Sequence, residues 1–315
     1  MTGSSSEVAA APAKINVTLD VGPLRPDGFH EVDSVVLVLA APADRVTVDV
    51  SAGGAGVRLT CDSRGENPCP LPTDARNLAF RAAAAFVDRF GLSETASVRL
   101  HLEKTLPSEA GLGGGSSDAA AVLRALARLL PAAGAQRPEA LLPIAAAIGA
   151  DVSLFVVGDA GALVRMRGRG EIVEPLSHAA PPPALHGVLV RPDVGVPTGP
   201  AYALLDALPD RRPATRPPAT PRLLDALASG ADAAVLAAAM HNDFEAAVLP
   251  AFPPVAAAHA AVRGAGALRA LLCGSGSAVF GLARDRDHAD TLARSLRGRF
   301  PWVAVATTVG EAADV

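Results

Sequence analysis

Residues 106–130 read LPSEAGLGGGSSDAAAVLRALARLL, a glycine-rich loop that runs straight into a helix. Four glycines in five positions, Gly111, Gly113, Gly114 and Gly115, let the backbone take φ > 0 and let a ligand reach main-chain N–H groups that a Cβ would screen. Ser116, Ser117 and Asp118 supply N-cap chemistry, and Val122, Leu123, Leu126, Leu129 and Leu130 mark the apolar face of a buried helix that Pro131 stops. A helix N-terminus carries unpaired N–H groups and the positive end of the macrodipole, so the stretch suits phosphate oxygens. On these residues alone, a turn between a strand and a core helix is an equal reading. The stretch lacks the GK[ST] ending of a P-loop, and its glycine spacing is not the dinucleotide GxGxxG followed by a distant acid.

The chain has 315 residues, enough for two domains of ordinary size. Hydrophobic residues make up 50% but aromatics only 3%, so the cores are expected to be aliphatic and close-packed. A formal charge of -4 disfavours a nucleic-acid binder that relies on bulk positive field, so a phosphorylated ligand needs local positive charge. No apolar run of roughly 18 residues occurs, and MTGSSSEV lacks the basic and apolar regions of a signal peptide. The expectation is a cytoplasmic protein without nucleic-acid or membrane partners. Cys61, Cys69 and Cys273 form no C-x-x-C pair and have no histidine at zinc-ligand spacing, which fits reduced thiols.

Residues 1–7 are expected to be disordered. From Ala11 the sequence alternates, with Ile15, Val17, Leu19 and Val21 on one face and Lys14, Asn16, Thr18 and Asp20 on the other, as in a half-buried strand. A lone strand lysine ordinarily faces solvent. Further strands are expected at 32–39, 45–50, 57–60 and 98–102, the last delivering Lys104 and Pro107 to the glycine loop. Helices are expected at 77–90, ended by Gly91, and at 138–148, ended by Gly149. Asp151 then stands before an apolar run, where an isolated aspartate reads as a turn or cap. Later come strands at 162–166 and 186–190, an irregular loop at 192–198, Tyr202 on a short helix, and helices at 231–240 and 255–263. Residues 208–221, rich in proline and arginine, read as a mobile surface loop. The end, from 270 to 308, reads β-β-α-β, which fits an α+β sandwich.

Taken together, APAKIN (11–16), DGFHE (27–31), LPSEAGLGGGSSDAA (106–120), GADV (149–152) and GSGSAVFG (274–281), in that order, resemble the GHMP small-molecule kinases over nearly the whole chain. The resemblance implies an α+β, two-domain GHMP kinase fold. Its N-terminal domain, residues 1–158, is ribosomal-protein-S5-domain-2-like and binds ATP. Its C-terminal domain, 159–315, is a ferredoxin-like α/β sandwich that binds substrate, with the active site in the cleft between them. APAKIN with DGFHE selects members whose acceptor is cytidine diphosphate methylerythritol, phosphorylated on its 2-hydroxyl in the non-mevalonate route to isoprenoid precursors.

By the same resemblance, Asp151 is the base that takes the proton of the attacking hydroxyl, and Lys14 is its charge partner. ATP, with Mg²⁺, is held by Lys104, Pro107, Gly111, Leu112, Gly113, Gly114, Gly115, Ser116 and Ser117, with the helix beginning near Ser117. Phe29, where the family usually has tyrosine, and Tyr202 sandwich the cytosine; His30 hydrogen-bonds its edge and Asn16 touches the substrate near the reacting end. GSGSAVFG packs its turn against the active site, and residues 242–245, NDFE, buttress the second domain. Glu109, an acid in a phosphate loop, either points outwards or sits near Mg²⁺. The resemblance leaves a monomer or weak homodimer. A homoserine, mevalonate or sugar kinase of the same family, a dinucleotide-binding oxidoreductase and a non-catalytic relative are the alternatives. The first has no base to stack, the second lacks the right glycine spacing, and the third would not need both Lys14 and Asp151.

Overall fold

A computed structural model describes residues 4–54, 56–63, 71–131, 134–176, 184–209, 217–230 and 233–309. The chain divides into two compact units, one formed by Met1–Ala13, Ala43–Leu106 and Gly113–Asp159, the other by Lys14–Pro42, Pro107–Leu112 and Ala160–Val315. Two long strands, β1 (Ser5–Leu24) and β2 (His30–Ala52), contribute to both. Residues 5–7, expected to be disordered, therefore belong to a strand. The runs expected at 32–39 and 45–50 are one strand, continuous through Pro42.

In the first unit, β4 (Ala96–Lys104) lies between β2, its antiparallel partner, and β3 (Gly56–Ser63), its parallel partner. Val98, Leu100 and Leu102 alternate into the core, as period 2 requires. Helices α1 (Leu78–Arg89), α2 (Gly114–Leu129), α3 (Pro138–Ile148) and α4 (Ala150–Val157) pack on one another. α1 is capped by Asn77, whose side chain accepts from the Ala79 amide at 2.9 Å, and ends at Gly91 with φ 64°. Its buried face, Ala79, Ala82, Ala83, Phe86 and Val87, is mostly small, which lets helices approach closely in an aromatic-poor core. Arg128 of α2 holds Glu7 of β1 at 2.6 Å.

In the second unit, β1 pairs with β2, and β2 pairs antiparallel with β5 (Leu163–Gly168), which pairs with β6 (Ile172–Pro175). A further antiparallel set runs in the order β11 (Trp302–Thr307), β7 (His186–Arg191), β10 (Val279–Leu282) and β9 (Arg269–Leu272), with Thr307 of β11 opposite Ala41 of β2. The helices are α5 (Thr198–Asp206), α6 (Ala219–Ala228), α7 (Ala233–Ala239), α8 (Glu245–Ala251), α9 (Pro253–Gly264) and α10 (Arg286–Leu296). Two-residue β8 (His241–Asn242) runs parallel to β1 at Thr18 and Leu19. Val188, Val190, Val255, Val262, Leu272, Val279, Leu292 and Leu296 form one aliphatic core with Phe244.

Two sequence expectations change here. Of the stretch 208–221, residues 210–216 lie outside the described residues, but Ala219 opens α6 and is fully buried with Thr220. The Asp20 carboxylate caps that helix, accepting from the Ala219 and Thr220 amides at 2.9 and 2.7 Å. The second face of β1 is also buried: Lys14, Asn16 and Thr18 are 5%, 6% and 0% exposed, so Lys14 does not face solvent. No single helix among the described residues is long and apolar enough to cross a membrane.

Candidate active site

In the first unit, β4 ends at Lys104, whose ammonium lies between two buried carboxylates. It donates to Asp44 Oδ2 and, at 2.5 Å, to Asp118 Oδ2. Asp44 also accepts at Oδ1 from the Thr105 and Leu106 amides, at 2.6 and 2.8 Å, and so pins the entry to the glycine stretch. Burial disfavours charge on Lys104, but its two acids outweigh that and raise its pKa. Burial pushes the Asp118 carboxyl up to about 7, with Lys104 pulling the other way and Asp44 adding to the rise. One ammonium cannot balance two dry carboxylates, and burial favours the neutral form of Asp118.

The helix that follows begins earlier than the serines suggested. Gly113, with φ 74°, is the N-cap of α2 and provides no side-chain cap; Gly114 and Gly115 are helical rather than left-handed. Ser116, Ser117 and Asp118 lie inside the helix. Asp118 is occupied by Lys104 rather than by a backbone amide because the carboxylate finds a buried cation there. The opening amides of α2 have no helical carbonyl to bond, which is the arrangement that favours phosphate. Ser117 Oγ and Asp118 Oδ1 are buried and find no hydrogen-bond partner among the described residues. Asp151, half-buried, sits in the first turn of α4, where the helix dipole favours a carboxylate.

In the second unit, residues 107–112 of the loop are held by the turn at 273–278. Ser277 N donates to Glu109 O at 3.3 Å and Ala278 N to Ala110 O at 3.1 Å. Gly111 is at φ 73°, and a Cβ there would lie 1.9 Å from Cys273 O, so only glycine fits. Lys14 N donates to Leu112 O at 2.9 Å, tying the loop to β1. Glu109 has φ 51° and is exposed; its carboxylate leans on Gly195, where a Cβ would come within 2.5 Å of Oε2. The turn itself rests on Asn242, whose Nδ2 donates to Leu272 O and Gly274 O at 2.8 and 2.7 Å, and on Glu245, which accepts from Leu272 N at 2.9 Å. Residues 242–245 thus act as the buttress expected of them. Burial pushes the Cys273 thiol up to about 12, which disfavours the thiolate.

The Lys14 side chain donates to Asn16 Oδ1 at 2.7 Å, and its Nζ would lie 3.4 Å from a Cβ placed on Gly274. Asn16 Nδ2 donates to Ser34 Oγ at 2.9 Å, and Ser34 Oγ donates to Thr18 O at 2.6 Å. Farther along, Phe29 is 52% exposed, with the Arg169 guanidinium 4.9 Å from its ring centroid. His30 is buried: Nδ1 meets Gly22 O at 3.0 Å, and Nε2 meets Asp206 Oδ2 at 3.1 Å. Tyr202 stacks on His30 with centroids 4.9 Å apart and an interplanar angle of 13°, and meets Phe244 edge-on. The two aromatics expected to face one base are here engaged separately, Phe29 with Arg169 and Tyr202 with His30. Asp44, Ser34 and Arg169 carried no sequence signal, since each acts through residues distant in the chain.

Two family models match the chain, the GHMP kinases N terminal domain over residues 77–159 and the GHMP kinases C terminal domain over 223–301. A protein of Streptomyces avermitilis named 4-diphosphocytidyl-2-C-methyl-D-erythritol kinase is 40% identical over 298 residues, 92% of each chain. A crystal structure of 4-(cytidine 5'-diphospho)-2C-methyl-D-erythritol kinase is 33% identical, with a TM-score of 0.74, covering 96% of this chain and 98% of that one. A homoserine kinase from Cytophaga hutchinsonii shares the fold at a TM-score of 0.69 but only 22% identity, covering 97% of this chain and 95% of that one. The chain belongs to the GHMP kinase family and has its two-domain α+β fold. As a member it is a phosphotransferase that uses ATP on a small-molecule acceptor.

Proposed function

We propose that the protein transfers the γ-phosphoryl group of ATP to the 2-hydroxyl of 4-diphosphocytidyl-2-C-methyl-D-erythritol, a step of the methylerythritol phosphate route to isoprenoid precursors. The observation that carries this is the 40% identity, over 92% of both chains, to a kinase of that name. A homoserine kinase shares the fold but at 22% identity, so the fold leaves the acceptor open and the sequence likeness selects it.

Phosphoryl transfer needs positioning and charge neutralisation more than covalent chemistry. In this reading Asp151 accepts the hydroxyl proton as the oxygen attacks phosphorus. Lys14 supplies positive charge to the oxygen losing its proton and to the phosphoryl group in transit. The ATP phosphates lie on the amides opening α2 and on the loop from Pro107 to Ser117, with Lys104 holding Asp118 of α2. The buried, unpartnered Ser117 Oγ and Asp118 Oδ1 are oxygen donors of the kind Mg²⁺ takes, and these two would hold it together with phosphate oxygens. When bound, Mg²⁺ supplies neutralisation of phosphate charge. Phe29 offers its exposed face to the cytosine and Tyr202 the second aromatic. His30 meets the base edge by exchanging its Asp206 partner for it, and Asn16 lies beside Lys14 at the reacting end.

The test is a coupled ADP-release assay with ATP and a panel of acceptors: the cytidine diphosphate methylerythritol, homoserine, mevalonate and galactose. ADP release with the first alone is expected. Turnover of another acceptor, with none on the cytidine compound, would overturn the assignment.

A further inference from the structure

We infer that Ser34 is a positioning residue for the phosphoryl transfer, setting through Asn16 the orientation in which Lys14 is held. This rests on the role proposed above for Lys14. Ser34 is 1% exposed, on β2, and touches neither the loop nor the aromatic end of the site in any bond described above. Its importance follows from counting donors and acceptors. A serine hydroxyl has a single hydrogen, and Thr18 O, a carbonyl, can only accept, so the 2.6 Å bond between them uses that hydrogen. What remains on Ser34 Oγ is lone pairs, so the Asn16 atom 2.9 Å away must be the NH₂ group.

That leaves Asn16 Oδ1 on the other side of the amide, facing the Lys14 ammonium, which can only donate, at 2.7 Å. Were the amide turned over, two donors would meet at Lys14 and two acceptors at Ser34. The direction of the whole chain, Lys14 to Asn16 to Ser34 to Thr18 O, is therefore set at both ends, by an ammonium that can only donate and by a carbonyl of β1 that can only accept. Thr18 is itself fixed, because its hydroxyl accepts from Val35 N at 3.1 Å and meets Thr220 Oγ1 at 2.8 Å. All four residues are buried, so water does not offer the amide an alternative partner.

Four variants in the full chain test this. Ser34→Thr keeps the hydroxyl, whereas Ser34→Val has nearly the same shape without it. Ser34→Val is expected to lower kcat about 10-fold with the KM for ATP unchanged, and Ser34→Thr to stay near the parent. A Ser34→Val enzyme with parental kcat would overturn the proposal. In a Lys14→Met background Ser34→Val should add less than about 2-fold, and a full further loss there would show that Ser34 does not act through Lys14. Parental turnover by Lys14→Met alone would instead remove the role of Lys14, a distinguishable failure. Neutron diffraction of the unsubstituted protein gives a readout independent of how the variants fold. Deuterium on the Asn16 nitrogen pointing to Ser34 is expected, and deuterium pointing to Lys14 overturns the inference.

Discussion

Lys14 and Lys104 are the same residue type, both on strands and nearly equally buried, at 5% and 8% exposed, yet they are held by different chemistry. Lys104 lies between Asp44 and Asp118, in an ion triad that joins the end of β4, the entry of the glycine stretch and the N-terminal part of α2. The Lys14 side chain donates to a neutral amide, which in turn donates to a serine bonded to a carbonyl. In the triad, charge is spent on fixing the backbone: taking away one member strands the others in a dry interior. In the chain beside Lys14, neutral groups hold the ammonium in one direction, which suits a group whose charge is to act on a substrate.

The sharpest way to break this contrast is to remove one member of each. Asp44→Ala leaves Lys104 short of a partner and the Thr105 and Leu106 amides unmet, and is expected to lower stability by about 3–5 kcal/mol, read by urea denaturation. A loss below about 1 kcal/mol would show that the triad does not interlock the loop. Lys14→Met should act on rate instead, lowering kcat by about 10²-fold or more with a much smaller change in the denaturation midpoint. Asp151→Asn is expected to lose turnover by at least about 10² while titration calorimetry still detects ATP. Near-parental turnover in a folded Asp151→Asn enzyme would remove that residue from the role of base.

A smaller effect sharpens the comparison through pH. The Asp118 pKa is raised from 3.8 to about 7, led by burial, so its folded value lies above its unfolded one. A group shifted this way contributes stability fully below its unfolded pKa, and that contribution is lost as pH rises through the folded value. The melting temperature of the parent, compared with Asp118→Asn, is therefore expected to fall as pH goes from about 4 to 8. A constant difference across that range would mean that Asp118 does not carry the proton of the triad.

Much of the architecture was legible because its signals are local. Alternation in residues 98–102, the Asn77 cap with Gly91, and Gly149 closing α3 each depend on neighbours within a few positions, and each element formed where expected. The errors fell where a distant partner decides. Ser116 to Asp118 looked like caps, but Asp118 had Lys104 to bind, so the helix starts at Gly114. The end of the proline-rich stretch looked like loop, but Asp20 on β1 caps α6 there and Thr220 bonds Thr18. The polar face of β1 looked solvated, and instead carries the hydrogen-bonded chain from Lys14 to Thr220.

By itself the sequence determined the family, the glycine loop entering a helix, and the set of residues from which a kinase site is drawn, because motif order and short-range periodicity need no long-range contact. What only the tertiary structure decided is the state of those residues. It directs Glu109 towards Gly195, makes Gly111 irreplaceable against Cys273 O, and locks Lys104 between two acids. It also gives Asn16 its direction through Ser34. The physical reason is common to all four: close packing, hydrogen bonds and ion pairs join groups far apart in the chain, and one sequence read along its length contains no measure of that proximity.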